Sequence, residues 1–384
     1  MKLPMMLRAI TPLAIVWAIA IATDLHASAH TISRPVSGKI ERLAQSSQQQ
    51  ADRLLTAGNQ KFNNQDYAGA IADFTSAIQL TPNFEKAIYN RAVAHGLAGN
   101  KQQAIADYSQ VIQLNPRNIA SYFNRAVARE QLGDKQGALS DLDRAIALDP
   151  RYAEAYLNRG NLLQASGDFA GAIANFSQAI AAKPNRADAY LNRGLAKYKS
   201  GDRAGAIADY NRAIEVDPNY YLAYNNRAWT RSEAGDNSGA LADYDRAIFL
   251  QERSANALNS NYYISFYNRA NLRLKLGDER GAVADYDRTI QLKPDYAAAY
   301  NNRGLARRKL NNLQGAISDF SKTIELTTDA ADAYYNRAAA RKLLQDRAGA
   351  TKDFQMAAKL YRQQGNKNES NNALNLVWQL QNQR

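Results

Sequence analysis

The sequence of 384 residues contains no cysteine and only three histidines. Without cysteine, the chain can form no disulfide, no thiolate nucleophile and no zinc–thiolate site. Only His30 and His95 follow the N-terminal segment 1–29, and His95 occupies a position that Arg129, Leu163 or Lys197 fills at a regular spacing elsewhere, which favours a structural role. The glycines form no phosphate-binding loop. We therefore expect no catalytic residue, no metal site and no cofactor.

The N-terminal segment 1–29 has the layout of a signal peptide. Lys2 and Arg8 precede an uncharged stretch at 9–22, and the small residues at 27–29 offer a cleavage site. As a helix, that stretch would be only about 21 Å long, which is too short to span a bilayer. We expect export to a periplasm, a thylakoid lumen or the extracellular space, with a mature chain beginning near His30. An uncleaved N-terminal membrane anchor is the alternative.

The formal net charge is +12, and the leader contributes +1 of it (Lys2 and Arg8 against Asp24), which leaves +11 on the mature chain. This excess favours anionic partners or surfaces, which include the surface of a membrane. Much of the charge recurs at regular intervals, whereas a nucleic-acid site would cluster it in one patch with aromatic residues. We therefore expect no nucleic-acid ligand.

A regular period runs through most of the chain, with equivalent residues thirty-four positions apart. It is marked by Ala70, Ala104, Ala138, Ala172, Ala206 and Ala240 and resumes, after an excess of eight positions, at Ala282, Ala316 and Ala350. Repeated units stack as one continuous array, not as separate domains. The sequence therefore predicts a lead-in segment or helix at 30–50, an insertion at 255–262, a cap and tail at 365–384, and nine repeats at 51–84, 85–118, 119–152, 153–186, 187–220, 221–254, 263–296, 297–330 and 331–364.

Each repeat has the pattern of a helical hairpin. In 187–220, residues spaced three and four apart from Tyr190 to Lys197 predict a first helix, and those from Ala206 to Ile214 a second. Between them, Gly201 suits the end of one helix and Asp202 the start of the next. The capping slot holds Asp or Asn in every repeat: Asp66, Asn100, Asp134, Asp168, Asp202, Asp236, Asp278, Asn312 and Asp346. Prolines close six repeats: Pro82, Pro116, Pro150, Pro184, Pro218 and Pro294.

Two slots, exemplified by Gly194 and Ala206, hold only glycine or alanine in all nine repeats, which predicts that the two helices approach closely. With the aromatic residue and the proline at fixed offsets, this pattern resembles the tetratricopeptide repeat over 51–364. Phrases such as Tyr-Leu-Asn-Arg-Gly are similar to repeats common in photosynthetic bacteria. The resemblance implies an all-α, right-handed superhelical solenoid of antiparallel helix pairs whose first helices line a concave groove. Leu374, Val377 and Trp378 predict a C-terminal capping helix.

An asparagine recurs on the stripe that the resemblance places in the groove, at Asn90, Asn124, Asn158, Asn192, Asn226, Asn268, Asn302 and Asn336. Asparagine costs about 0.5–0.7 kcal/mol relative to alanine inside a helix, so a compensating role is expected. One interpretation is an amide row that binds the backbone of an extended peptide. The other is that each amide bonds within its own or the adjacent repeat. Tyr198 and Trp229 are further candidate anchors, although such aromatics more often serve packing.

An arginine follows each asparagine on the packing stripe, at Arg91, Arg125, Arg159, Arg193, Arg227, Arg269, Arg303 and Arg337. A buried charge requires a partner. Aspartates recur on the second helix at Asp73, Asp107, Asp141, Asp209, Asp243, Asp285, Asp319 and Asp353. We therefore expect a ladder of Arg–Asp pairs that fixes the register of the helices.

These observations favour a non-enzymatic scaffold that binds a protein or an extended peptide in the groove, outside the cytoplasm. The family's carboxylate-binding set is not transferred, because Leu55, Tyr89 and Phe123 stand where lysine would be needed. The alternative is a structural spacer or assembly factor for an envelope complex, acting through its edges or its basic outer surface. The partner and the oligomeric state stay open.

Overall fold

The computed structural model describes residues 37–253 and 262–382, and within them the chain is helical with no strand. The predicted leader lies outside the described residues, as does the predicted insertion apart from Tyr262. The first helices of the repeats are α1 Ser37–Asn63, α3 Glu85–Leu97, α5 Ile119–Gln131, α7 Ala153–Ala165, α9 Ala187–Lys199, α11 Tyr221–Glu233, α13 Tyr263–Leu276, α15 Ala297–Lys309 and α17 Ala331–Leu343. The second helices are α2 Tyr67–Leu80, α4 Lys101–Leu114, α6 Lys135–Leu148, α8 Phe169–Ala182, α10 Arg203–Val216, α12 Asn237–Glu252, α14 Glu279–Leu292, α16 Leu313–Leu326 and α18 Arg347–Gln363. A last helix, α19, spans Lys367–Asn382.

The described helices form two compact units, one ending at Ser200 and the other beginning at Gly201. Within each unit, every helix packs on the helix that follows it in the chain. Successive first helices also contact one another, as α1–α3, α3–α5 and α7–α9 do in one unit and α11–α13, α13–α15 and α15–α17 in the other. No second helix of the described residues packs to that extent on the next second helix. The first helices therefore line the inner side of each unit.

The predicted capping slot is confirmed in eight of the nine repeats, where the Asp or Asn side chain accepts a hydrogen bond from the backbone N–H three residues later. The donor in each case belongs to a glycine, and a Cβ there would clash with the capping side chain. Asn100 is the exception, because Gln103 replaces that glycine and the side chain makes no cap bond. The residue before the cap is left-handed, for example Gly201 with φ +97°.

The expected close approach of the paired helices is confirmed at several glycines on the first helices. A Cβ on Gly160 would lie 2.6 Å from Cε1 of Phe176, and one on Gly304 would lie 2.7 Å from Cε1 of Phe320. Both rings are fully buried. Since protein interiors are packed as densely as organic crystals, such a ring leaves no room for a side chain at the facing position.

The predicted C-terminal cap is confirmed as α19. Its Ala373, Val377 and Leu380 are buried against repeat nine, in a cluster with Phe354 and Ala338. Its outward side remains exposed, including Trp378 at 66%. The helix thus covers the apolar end of the last repeat, a role that repeat arrays require of their terminal element. None of the described helices is long and apolar enough to cross a membrane.

Candidate functional site

The predicted asparagine row lies on the first helices, and the structure shows what its amides contact. Asn90 donates from Nδ2 to Oδ1 of Asn59 at 2.8 Å, and Asn192 donates likewise to Asn161 at 3.3 Å. Both acceptors lie on the first helix of the preceding repeat, thirty-one positions earlier in the chain. These two amides therefore bond to the preceding repeat, as the second interpretation of the row predicted.

Two further amides of the row bond to a tyrosine of the preceding repeat. Asn124 Nδ2 donates to the hydroxyl of Tyr89 at 3.1 Å, and both side chains are buried. Asn302 Nδ2 donates to Oδ1 of Asn271 at 2.9 Å and to the hydroxyl of Tyr267 at 3.2 Å. Burial raises the pKa of Tyr89 to about 12, with the bond from Asn124 lowering it in part, so its hydroxyl stays neutral at physiological pH. These amides serve the contact between repeats.

Asn158 and Asn336 differ from these four. Both are partly exposed, and within residues 37–253 and 262–382 neither side-chain amide makes a hydrogen bond. For Asn158, the two earlier positions hold Phe123 and Val127, which offer no acceptor. These two amides therefore retain their donors and acceptor for another molecule. Asn226 and Asn268 are buried, whereas Tyr198 and Trp229 are partly exposed, and the assignment of all ten residues to partner binding stays a prediction.

A cavity of about 570 Å³ opens between α15 and α17, in the unit that begins at Gly201. Its wall includes three amides of the first helices, Asn301, Asn302 and Asn336. The starts of these helices carry small side chains at Ala297, Ala298 and Ala331, where the two preceding repeats place Tyr221, Leu222, Tyr263 and Ile264, and this difference leaves the space open. Its volume lies within the range of about 300–1,000 Å³ that is typical of ligand pockets.

One residue of the cavity wall has a polar atom without a hydrogen-bond partner among the described residues. Oδ1 of Asn301 is shielded from solvent and, in the described part of the chain, accepts no hydrogen bond, while Nδ2 of the same side chain donates to Asn302 at 3.2 Å. Tyr267 also lines the cavity, and burial raises the pKa of its hydroxyl, with bonds to neighbouring side chains lowering it only in part. Buried acceptors without a donor are uncommon in folded proteins, so the site is suited to a ligand that donates.

The predicted Arg–Asp ladder is confirmed. Six repeats contain a bidentate pair in which Nε and Nη2 of the arginine donate to both carboxylate oxygens of the aspartate sixteen residues later, at 2.5–3.0 Å. They are Arg91–Asp107, Arg125–Asp141, Arg227–Asp243, Arg269–Asp285, Arg303–Asp319 and Arg337–Asp353. In repeat four, Asn175 replaces the aspartate and accepts from Arg159 Nε at 2.7 Å.

The same arginines connect neighbouring repeats. The Nη1 group of each donates to a polar side chain on the second helix of the preceding repeat, for example Arg125 to Ser109 at 2.9 Å and Arg303 to Asp287 at 2.6 Å. Seven of them also lie over an aromatic ring three residues earlier, as Arg125 does over Tyr122. One guanidinium thus binds three groups in two repeats, which makes it a structural clamp and not a ligand-binding group.

His95 lies beside Asn100 of its own repeat. Its ring lies 3.4 Å from the amide of Asn100, and burial lowers its pKa, with the charge of Asp107 raising it and that of Arg91 lowering it. Within the described residues, no three His, Asp or Glu side chains are grouped so that they could hold a metal ion.

The cavity between α15 and α17 was not predicted from the sequence. The only signal for it was the run of alanines at 297–299 together with Asn301 in a slot that most other repeats fill with an apolar or aromatic residue. Only the packing of the neighbouring helices shows that these small residues leave open space and do not draw the helices closer.

The sequence of the chain matches known models of a repeat family. Three sequence profiles, each described as tetratricopeptide repeat, match the chain: one at residues 55–119, 157–221 and 267–331, a second at 100–156 and a third at 209–248. The first alone spans just over half of the chain. No curated protein sequence matches.

Solved structures show the same fold. A tetratricopeptide repeat protein from Parabacteroides merdae is 19% identical with a TM-score of 0.52, covering 67% of this chain and 99% of that one. The C-terminal part of a TPR repeat-containing protein from Cytophaga hutchinsonii is 19% identical with a TM-score of 0.53, covering 65% and 98%. The MamA protein is 26% identical with a TM-score of 0.42, covering 44% and 92%. The first two support the architecture of paired helices.

Proposed function

The chain belongs to the tetratricopeptide repeat family, whose arrays are protein-interaction scaffolds, and from this premise we propose that it captures a partner protein or an extended peptide on the inner side of its first helices. The observation that carries the proposal is the cavity between α15 and α17, which combines open space with the unbonded amide of Asn336 and the unbonded oxygen of Asn301. An extended peptide backbone carries both N–H donors and C=O acceptors. Such amides match it without selecting its side chains.

Four of the eight asparagines bond to the preceding repeat, and this limits where a partner could bind. Because Asn90, Asn124, Asn192 and Asn302 are already engaged, a continuous amide ladder is not what would bind the partner. Binding would instead concentrate where the amides are unbonded, around Asn336 in one unit and around Asn158 in the other. The proposal also places the protein outside the cytoplasm, on the strength of residues 1–29. The likeness to repeats of photosynthetic bacteria stays a prediction.

Site-specific photocrosslinking in the native compartment tests the proposal. A benzophenone amino acid at Leu305, which lines the cavity, should crosslink to a partner, whereas the same group at Lys352, exposed on α18, should not. Crosslinks from Lys352 alone would support the spacer that acts through its outer surface. N-terminal sequencing of the mature protein tests export, which predicts a start near His30.

A matched pair of alanine variants separates binding from folding. Asn336→Ala should reduce the crosslink at Leu305 with little change in stability, because the amide has no internal bond. Asn302→Ala removes three hydrogen bonds, two that the amide donates and one that it accepts from Asn301, and should lower the free energy of unfolding by about 2–3 kcal/mol. Undiminished crosslinking in Asn336→Ala would contradict the proposed site.

A further inference from the structure

The cavity between α15 and α17 is acidic in a strongly basic chain. Asp329 and Asp332 lie at its wall, and both carboxylates are exposed to solvent. Among the described residues, no lysine, arginine or histidine lines it. In the same part of the chain, neither carboxylate forms an ion pair, although the sequence has 48 Lys and Arg against 36 Asp and Glu. The lining of the cavity therefore carries a net negative charge.

Repeat four shows how the chain neutralises the same position elsewhere. There, Glu154 stands at the second position of its repeat, as Asp332 does in repeat nine. Lys183 Nζ lies 2.6 Å and Arg186 Nη1 3.1 Å from its carboxylate. The residues at the equivalent positions of repeat nine are Tyr361 and Gln364, which are both uncharged.

Tyr361 does contact the carboxylate of Asp332, but it brings no charge. Its hydroxyl donates to Oδ1 at 2.6 Å. Burial raises the pKa of this tyrosine, and the bond to Asp332 and its charge raise it further, so the phenol remains neutral. Gln364 directs its amide to the backbone oxygen of Asp329 at 2.8 Å. These two contacts fix the geometry at the cavity mouth and leave its negative charge in place.

Asn301 also lines the cavity, and its Oδ1 is shielded from solvent and has no donor in the described residues. The cavity thus combines two solvent-exposed carboxylates with the apolar walls of Leu305 and the alanines. A long side chain with an apolar stem and several N–H donors at its end has the complementary chemistry.

We propose that this cavity receives a lysine or arginine side chain of the partner, whose cationic group binds Asp329 and Asp332. The inference rests on the proposed function and narrows it. The net charge of the chain favours an anionic partner, whereas the partner segment bound here carries a positive residue. The excess of basic residues over the whole chain does not decide the charge preference of one local site.

A random dodecapeptide library displayed on phage, selected on the full-length protein, tests this inference. Enriched sequences should share a lysine or arginine at one position. A resynthesised, fluorescein-labelled peptide should lose about tenfold in affinity when that residue is replaced by norleucine, and binding should weaken as salt screens the charges.

Three variants locate the effect. The double variant Asp329→Asn, Asp332→Asn should weaken the peptide about tenfold, and so should Gln364→Arg, which supplies the arginine that repeat four carries. Asp295→Asn is the matched control, because Asp295 occupies the position of Asp329 in the preceding repeat but lies outside the cavity, 3.4 Å from Lys293. It should leave the affinity unchanged.

The failures are distinguishable. Enriched peptides that carry no basic residue, or that bind Gln364→Arg as tightly as the unaltered chain, would overturn the cationic pocket and leave groove binding intact. A library from which nothing is enriched, together with no crosslink at Leu305, would overturn both.

Discussion

Asp141 is the buried carboxylate on which two arginines of repeat three converge. It is 2% exposed and accepts from Arg125 Nε at 2.9 Å, Arg125 Nη2 at 2.6 Å and Arg129 Nη1 at 2.7 Å. Asp141→Asn keeps the shape but replaces one acceptor by an NH₂ donor that faces other donors. Breaking a buried pair costs about 3–5 kcal/mol, and because both arginines retain some exposure we expect about 2–3 kcal/mol.

Repeat four supplies the compensating change. Its Asn175 accepts from Arg159 and donates from Nδ2 to the carbonyl of Gly171 at 2.8 Å. In repeat three the equivalent carbonyl, that of Gly137, accepts from Arg129 Nη1 at 3.2 Å, and repeat four has Leu163 in place of that arginine. The double variant Asp141→Asn, Arg129→Leu therefore recreates an arrangement that the chain already uses.

Denaturant unfolding followed by circular dichroism gives the comparison. Arg129→Leu alone should cost about 1 kcal/mol, because Arg125 still holds the carboxylate. The double variant should be more stable than Asp141→Asn by about 1–2 kcal/mol, a coupling within the range measured for contacting residues. If Asp141→Asn matched the unaltered protein, or if adding Arg129→Leu lowered stability further, the clamp would not act as the geometry indicates.

Two further predictions concern the packing of the array. The pKa of Tyr89, raised by burial from 10.0 to about 12, implies stability that is fully present below about pH 10 and lost as pH rises toward 12, because the unfolded chain releases this proton first. Tyr89→Phe should make the alkaline loss of stability shallower, by up to about 2–3 kcal/mol at pH 12, and an unchanged alkaline slope would count against the burial of this hydroxyl. Val377→Asp should lower the thermal midpoint by placing a charge in the cap contact, whereas the adjacent Trp378→Ala should leave it nearly unchanged, and equal effects would refute the orientation of α19.

The helical hairpins and the Arg–Asp ladder were predictable because they depend on fixed short spacings. Arg125 and Asp141 are sixteen residues apart, and once two helices of known length are joined by a short turn, that separation places them opposite each other. The capping slot was predictable for the same reason, because the capping side chain and the N–H group that it binds are only three residues apart. Its failure at Asn100 depends on Gln103, since only glycine at that position gives the capping side chain room.

The roles of the asparagines could not be predicted in the same way. The sequence shows eight similar residues, yet Asn124 is bonded and Asn158 is not, because the first faces Tyr89 and the second faces Phe123 and Val127. Which residue of one repeat faces which residue of the next depends on how neighbouring hairpins pack. The repeat pattern by itself carries no information about that contact.

The sequence by itself determined the period, the helices, their caps and the internal salt bridges, because each of these depends on residues within one or two turns or at one fixed separation. Only the tertiary structure decided where space and unused hydrogen-bonding atoms remain, because these depend on the absence of bulk and charge in several repeats at once. The cavity at Asn301 and the unneutralised carboxylate of Asp332 are of this second kind. The cavity results from the lack of bulky side chains on the neighbouring helices, and the unneutralised carboxylate results from the lack of a basic residue there.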